Sequence, residues 1–315
     1  MHLLLDASLP KQLTAQALAQ RGVLTTHQLV DAGLSRSRIH DIGRRDGWRE
    51  LLQGTRQVAV HDGEGAAEEA MRGWNQAAVL VLPHAVLAFD SAAVELRLAG
   101  VPRRDGVSVI VPPGRELRGR PGLSPHVRVL GPDEVSTDRG LRRTTLARTL
   151  ADLVPRLDRP TALSVLDSAR RRGSPQSVLD EAQRLATGKA GAGAVVDLWT
   201  LADPDAESPL ESRVRLRMID GRLAPDRLHQ RLRDASGRVC ARPDMTIDAE
   251  RRRRRHRGPL CVEADGRKPH SSPTAAFRDR ERSSEILGDD GDVERFTWDD
   301  TFDPMKIPWR LRRAL

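Results

Sequence analysis

The sequence predicts a mixed α/β fold in three successive regions, 1–62, 63–200 and 201–315. Three observations carry that prediction. Apolar residues recur at helical spacing over 11–42, broken by Gly22 and Gly33. Amphipathic helical stretches alternate with short β-branched runs such as Val107-Ser108-Val109-Ile110-Val111 over 75–200. Beyond 203, short strands are expected at 239–247, 260–265 and 293–298 among further helical segments.

Composition narrows the function classes. The chain has 315 residues, 30% charged and 38% hydrophobic. No run approaches the ~20 apolar residues that span a bilayer, so no membrane partner is expected. The opening Met1-His2-Leu3-Leu4-Leu5-Asp6 is too short for a signal-peptide core, and a cytoplasmic location is expected. Two cysteines, Cys240 and Cys261, make neither a disulfide framework nor a zinc set. The net charge of +8 is carried mostly by arginine, which grips phosphate in a bidentate fork and suits a nucleic-acid partner. An Arg-, Ala- and Gly-rich chain also reflects GC-rich coding, so charge adds modest weight. No small-molecule cofactor motif is evident.

The N-terminal region reads as three short helices. Leu13, Ala17 and Leu18 mark the first, ended by Gly22. Thr25 and Gln28 have capping-box spacing, with Leu29 and Val30 turned to the core. A turn at 32–34 leads to Ser35 as the next N-cap. The helix it starts exposes Arg36 and Arg38 and buries Ile39 and Ile42. A helix, a Gly-containing turn and an Arg-bearing second helix make a helix-turn-helix. Residues 43–60 supply a wing, with Trp48, Leu51 and Leu52 packing and Gly54 at its tip.

Those residues, with Ala32-Gly33-Leu34-Ser35 and Ile39, resemble the winged helix-turn-helix of AbiEi-type antitoxins. The resemblance implies that Ser35, Arg36, Ser37, Arg38 and His40 face DNA, and makes a toxin a candidate partner. Arg44 and Arg45 read equally as a solvated turn or a phosphate clamp. In the middle region, 83–93 and the Arg143–Asp152 stretch are similar to two helices of the same family. A helix broken at Pro83 is expected over 77–98, strands at 106–112 and 126–130, and helices at 161–171 and 174–185. Arg148 and Asp152 are spaced as an i,i+4 ion pair, and His84 as a packed polar residue. The Gly-rich 189–193 suggests a loose turn.

The last region holds the chemistry. Alternation puts Cys261, Glu263 and Asp265 on one strand face and Leu260, Val262 and Ala264 on the other. If 239–247 and 260–265 pair as a hairpin, Asp244 approaches Glu263. Two neighbouring carboxylates repel and favour a cation, Mg2+ being the usual oxygen-bound choice. Pro243-Asp244 and Glu263-Ala264-Asp265 resemble the PD-(D/E)xK nuclease motif, in the branch similar to very-short-patch-repair endonucleases. Glu211, Arg242, Gly266, His270, Asp279-Arg280-Glu281-Arg282 and Arg295-Phe296-Thr297-Trp298 extend the match over roughly the last third of the chain. Asp265 stands where that motif has lysine, with Lys268 nearby.

The resemblance implies a restriction-endonuclease-like α/β domain cleaving DNA phosphodiesters. Asp244, Glu263 and Glu211 would bind Mg2+, Asp265 and His270 would manage the proton, and Arg280 and Arg282 would contact phosphate. Glu211 has a competing local role, because Ser208-Pro209-Leu210-Glu211 spells a helix cap. The run Arg251–Arg255 is either solvated or holds a substrate strand. A helix is expected over 277–287. The alternative function is a non-catalytic regulator or antitoxin acting through the helix-turn-helix.

Overall fold

The computed structural model describes residues 3–5, 9–61, 65–115, 117–233, 236–252, 258–266 and 292–315. The chain is mixed α/β and packs as two compact units, Met1–Arg156 with Ser177–Gly193, and Leu157–Gln176 with Ala194–Leu315. Among the described residues no helix is long and apolar enough to cross a membrane.

In the first unit, β1 (Leu3–Leu5) pairs antiparallel with β4 (Ala59–His61), and β2 (Val23–Thr25) with β3 (Thr55–Gln57). Three helices accompany them: α1 (Lys11–Ala19), α2 (Thr26–Asp31) and α3 (Arg36–Asp46). Local chemistry sets their starts. Thr25 Oγ1 accepts from the Gln28 N–H at 3.1 Å and Gln28 Oε1 from the Thr25 N–H at 2.8 Å, closing the expected capping box. Ser35 Oγ accepts from the Arg38 N–H at 3.1 Å. Gly22 has φ +76°, and a Cβ there would lie 2.5 Å from the Ala59 carbonyl oxygen, so only glycine lets α1 end against β4. Leu13, Ala17, Leu29, Ile39 and Ile42 are buried as expected, whereas Leu18 and Val30 are exposed.

The boundary expected at 62 does not end a core. Val23, Leu51 and Leu52 share one buried cluster with Trp74, Leu87, Val107 and Val109. The expected 77–98 helix is also redistributed. Helix α4 (Ala66–Val81) starts earlier and stops before Pro83, the chain forms β5 (Val86–Leu87), and α5 (Phe89–Glu95) follows. β6 (Val107–Val111) matches its expectation, while β7 (Leu123–Val127) lies three residues earlier and contains Pro125. With β8 (Val135–Asp138) and β9 (Leu141–Thr144), the sheet runs β7-β6-β5-β9-β8. β7 is an edge strand, where a proline costs no ladder bond. α6 (Leu146–Leu153) carries the expected Arg148–Asp152 pair at 2.6 Å. His84 is exposed rather than packed. α7 (Arg159–Arg171) and α8 (Gln176–Ala186) lie where helices were expected.

α7 belongs to the second unit, which moves the division away from residue 200. It packs on α10 (Pro209–Asp220), and buried Arg215 Nη2 donates to both Asp167 oxygens at 2.9 and 3.0 Å. α9 (Leu198–Leu201) lies between them in sequence. The sheet order is β10 (Arg227–Leu228), β13 (Met245–Ile247), β14 (Leu260–Ala264), β15 (Val293–Phe296). β13 and β14 are antiparallel, β14 and β15 parallel. Leu210, Val214, Met218, Met245, Val262 and Phe296 share the core with Ile307 and Leu311 of α11 (Lys306–Ala314). The 239–247 strand is split. Pro243 lacks a donor and restrains Arg242, so β12 (Val239–Ala241) pairs with β11 (Leu232–Arg233) in a sheet separate from β13.

Candidate metal centre

Met245 pairs with Val262 and Ile247 with Leu260, all four turned to the core. Alternation sends Thr246, Cys261 and Glu263 to the opposite face. Asp244 lies one step beyond the Met245–Val262 pair, opposite Glu263, and its Oδ2 accepts from the Ala264 N–H at 2.8 Å. The two carboxylates thus leave the sheet on the same side.

Two further side chains meet Asp244. Its carbonyl oxygen accepts from the His229 N–H at 3.0 Å, fixing the residue just after β10, whose φ is +49°. Glu211 comes from the first turn of α10. Its Oε2 accepts from the Glu207 N–H at 2.8 Å and lies 3.1 Å from His229 Nε2. The Ser208 hydroxyl accepts from the Glu211 N–H at 3.2 Å, so Glu211 serves the helix start and faces His229 at once. Glu211, His229 and Asp244 each offer one ligand atom within 4.8 Å of the others. His229 Nδ1 is buried with no hydrogen-bond partner among the described residues.

Burial and like charge set the electrostatics of the cluster. Burial pushes the Asp244 carboxyl up to about 6, and Glu211 and Glu263 push the same way; the Ala264 N–H and His229 oppose them. Glu263 is held at 3.0 Å by Arg295 Nε from β15, so it stands beside the three-residue cluster rather than inside it. Asp265 follows β14, its N–H donating to the Phe296 carbonyl at 2.8 Å. His270, Arg280, Arg282, Lys268 and the 277–287 helix lie outside the described residues. Nothing in the sequence pattern singled out His229. Finding it required the β10–β13 pairing, a contact between segments with no shared motif.

Basic groups occur elsewhere. Ser35, Arg36, Ser37, Arg38 and His40 are all exposed on or just before α3. Arg45 pairs with Asp46 at 2.7 Å. The arginine run is not wholly solvated. Arg251 Nη1 donates to Asp226 at 2.9 Å, and buried Arg252 pairs with Asp292 and donates to the Gly258 carbonyl at 2.8 Å.

No family model matches the chain. Two uncharacterized proteins of Mycobacterium tuberculosis strains, MT2308 and Rv2248, are each 32% identical to it over 173 residues, covering 53% of this chain and 62% of theirs. The chain thus spans less than two thirds of the length of the curated relatives it matches. The crystal structure of the RV2827C protein from Mycobacterium tuberculosis aligns at a TM-score of 0.38 and 14% identity, covering 79% of this chain and 94% of that one.

Proposed function

We propose that this chain is a DNA-binding protein whose second unit is a restriction-endonuclease-like domain hydrolysing phosphodiester bonds with a divalent cation. The observation that carries the reading is the meeting of Glu211, His229 and Asp244, with Glu263 on the same sheet face. Glu211 and Asp244 would hold the cation, with Glu263 beside them. The carboxylates suit Mg2+, and the imidazole adds a nitrogen donor that Mn2+ also accepts. Once bound, a divalent ion supplies an activated water and neutralises charge on the phosphate.

The chain's own groups do the rest. The Glu207 N–H orients Glu211, the Ala264 N–H orients Asp244, and Arg295 restrains Glu263. Asp265 is the described candidate for receiving the proton of the attacking water, with His270 the candidate from the adjoining segment. In the first unit, α2, its turn and α3 act as a winged helix-turn-helix, and Arg36, Arg38 and His40 contact DNA. Supercoiled-plasmid nicking with Mg2+ or Mn2+ tests the reading. Wild-type protein nicks, and Asp244→Ala reduces the rate by at least a hundredfold. Equal nicking by both proteins would refute the assignment.

A second reading is favoured by one observation: the exposed face of α3 needs no metal, whereas Glu263 is already neutralised by Arg295. On that reading the chain is an AbiEi-like regulator with a partner toxin. Specific, metal-independent gel shifts on DNA upstream of its own gene, with no nicking, would favour it.

A further inference from the structure

The first unit contains a cavity that the proposed reaction does not use. Its volume is about 300 Å3, and its walls include Phe89, Arg128, Asp152, Pro155, Arg156 and Lys189. Several separate segments build it: the start of α5, the residue after β7, α6, the Val154–Arg156 turn and the turn after α8. Gly191 makes that last approach feasible. Its φ is +85°, and a Cβ there would lie 2.0 Å from the Pro155 carbonyl oxygen, so the turn bearing Lys189 closes on Pro155 only with glycine.

The cavity's charge is unbalanced. Asp152 accepts from Arg148 Nε and from Lys189 Nζ, both at 2.6 Å, and Arg148 also meets Glu134 at 2.7 Å. Arg104 pairs with Asp90. Arg128 and Arg156 have no carboxylate partner among the described residues, and both are exposed. The Arg156 guanidinium lies 4.3 Å over the Phe89 ring, which sits 4.4 Å from the His126 ring. Phe89 holds φ +53°, a left-handed backbone that a non-glycine residue adopts against its preference. Burial first, then Arg156, Arg128 and Arg104, hold the His126 imidazole below its usual range, with Asp152 opposing them.

We propose that this cavity binds a phosphorylated ligand of mononucleotide size, with the phosphate held by Arg128 and by Arg156, which Phe89 backs, beside Lys189, and the remainder lying along the wall at Pro155 and Ala190. Two guanidinium forks match phosphate oxygens. The volume falls at the small end of ligand sites, room for one nucleotide and not for a duplex. Such a phosphate could come from a free nucleotide or from the 5′ end of a strand.

Calorimetric titration of the full chain with adenosine 5′-monophosphate tests this, with adenosine and sulfate at matched ionic strength as controls. The monophosphate binds, adenosine does not, and the Arg128→Gln/Arg156→Gln variant loses at least tenfold in affinity with an unchanged circular-dichroism spectrum. Monophosphate binding no tighter than sulfate, or undiminished in the variant, would overturn the proposal. Competition separates the sources. A single strand carrying a 5′-phosphate that displaces the monophosphate, while its 5′-hydroxyl counterpart does not, identifies a strand end. Failure of both strands to displace it identifies the free nucleotide.

Discussion

Asp244 carries two competing demands. Its fold position, half-buried and beside Glu211 and Glu263, favours the protonated acid, whereas a metal needs the carboxylate. Its folded pKa of about 6 stands above an unfolded value near 3.9, so the folded state holds the extra proton between these pH values. Stability from this group is therefore present below about pH 4 and lost as pH rises through about 6. Metal-free Asp244→Asn should melt above wild type at pH 7.5 and level with it at pH 4. Calorimetry should also show Mn2+ affinity falling at least about tenfold per pH unit below about pH 6, since the ion displaces at least the Asp244 proton. A flat profile from pH 5 to 7 would count against the arrangement. Cys261 gives a simpler check. Burial, then Glu263, pushes its thiol up to about 11, whereas Cys240 is half-buried. Iodoacetamide at pH 8 should label Cys240 first by mass spectrometry, because the Cys261 thiolate is scarce. Earlier labelling of Cys261 would contradict this.

Helices α7 and α10 are joined by a charge pair with almost no solvent access. Removing one partner leaves a buried uncompensated charge, at a cost of about 3–5 kcal/mol. Arg215→Ala should accordingly lower the urea midpoint of the second unit, and a change under about 1 kcal/mol would contradict the pairing. On α3 the proposed role predicts that Arg36→Ala/Arg38→Ala weakens DNA binding and lowers the salt slope by about 2. Unchanged binding would remove that helix from the interface. These elements also divide into what sequence could and could not reveal. Caps are written within four residues, so Thr25 with Gln28, Ser35 and Ser208 were legible. Alternation placed Glu263 opposite the core, and Pro243-Asp244 marked the partner strand. The β10–β13 ladder, and with it His229, was not legible, because non-local pairing leaves no local pattern. Arg295 on Glu263 depends likewise on the parallel β14–β15 register. The strand split at Pro243 was readable in principle, since a proline argues against a continuous central strand.

At the scale of the whole molecule, an arginine-rich chain of net charge +8 folds as two compact units, each with its own polar constellation. The first offers the exposed arginines of α3 and the cavity at Phe89. The second offers a cluster of two carboxylates and an imidazole at the edge of a four-stranded sheet. Both proposed activities, cleavage and regulation, engage nucleic acid, and they differ in whether that cluster takes a metal. Anomalous diffraction from crystals soaked in Mn2+ asks this directly. The account predicts a peak bounded by Glu211, His229 and Asp244 at bonding distance, lost in Asp244→Asn crystals. A featureless map at that position would contradict it.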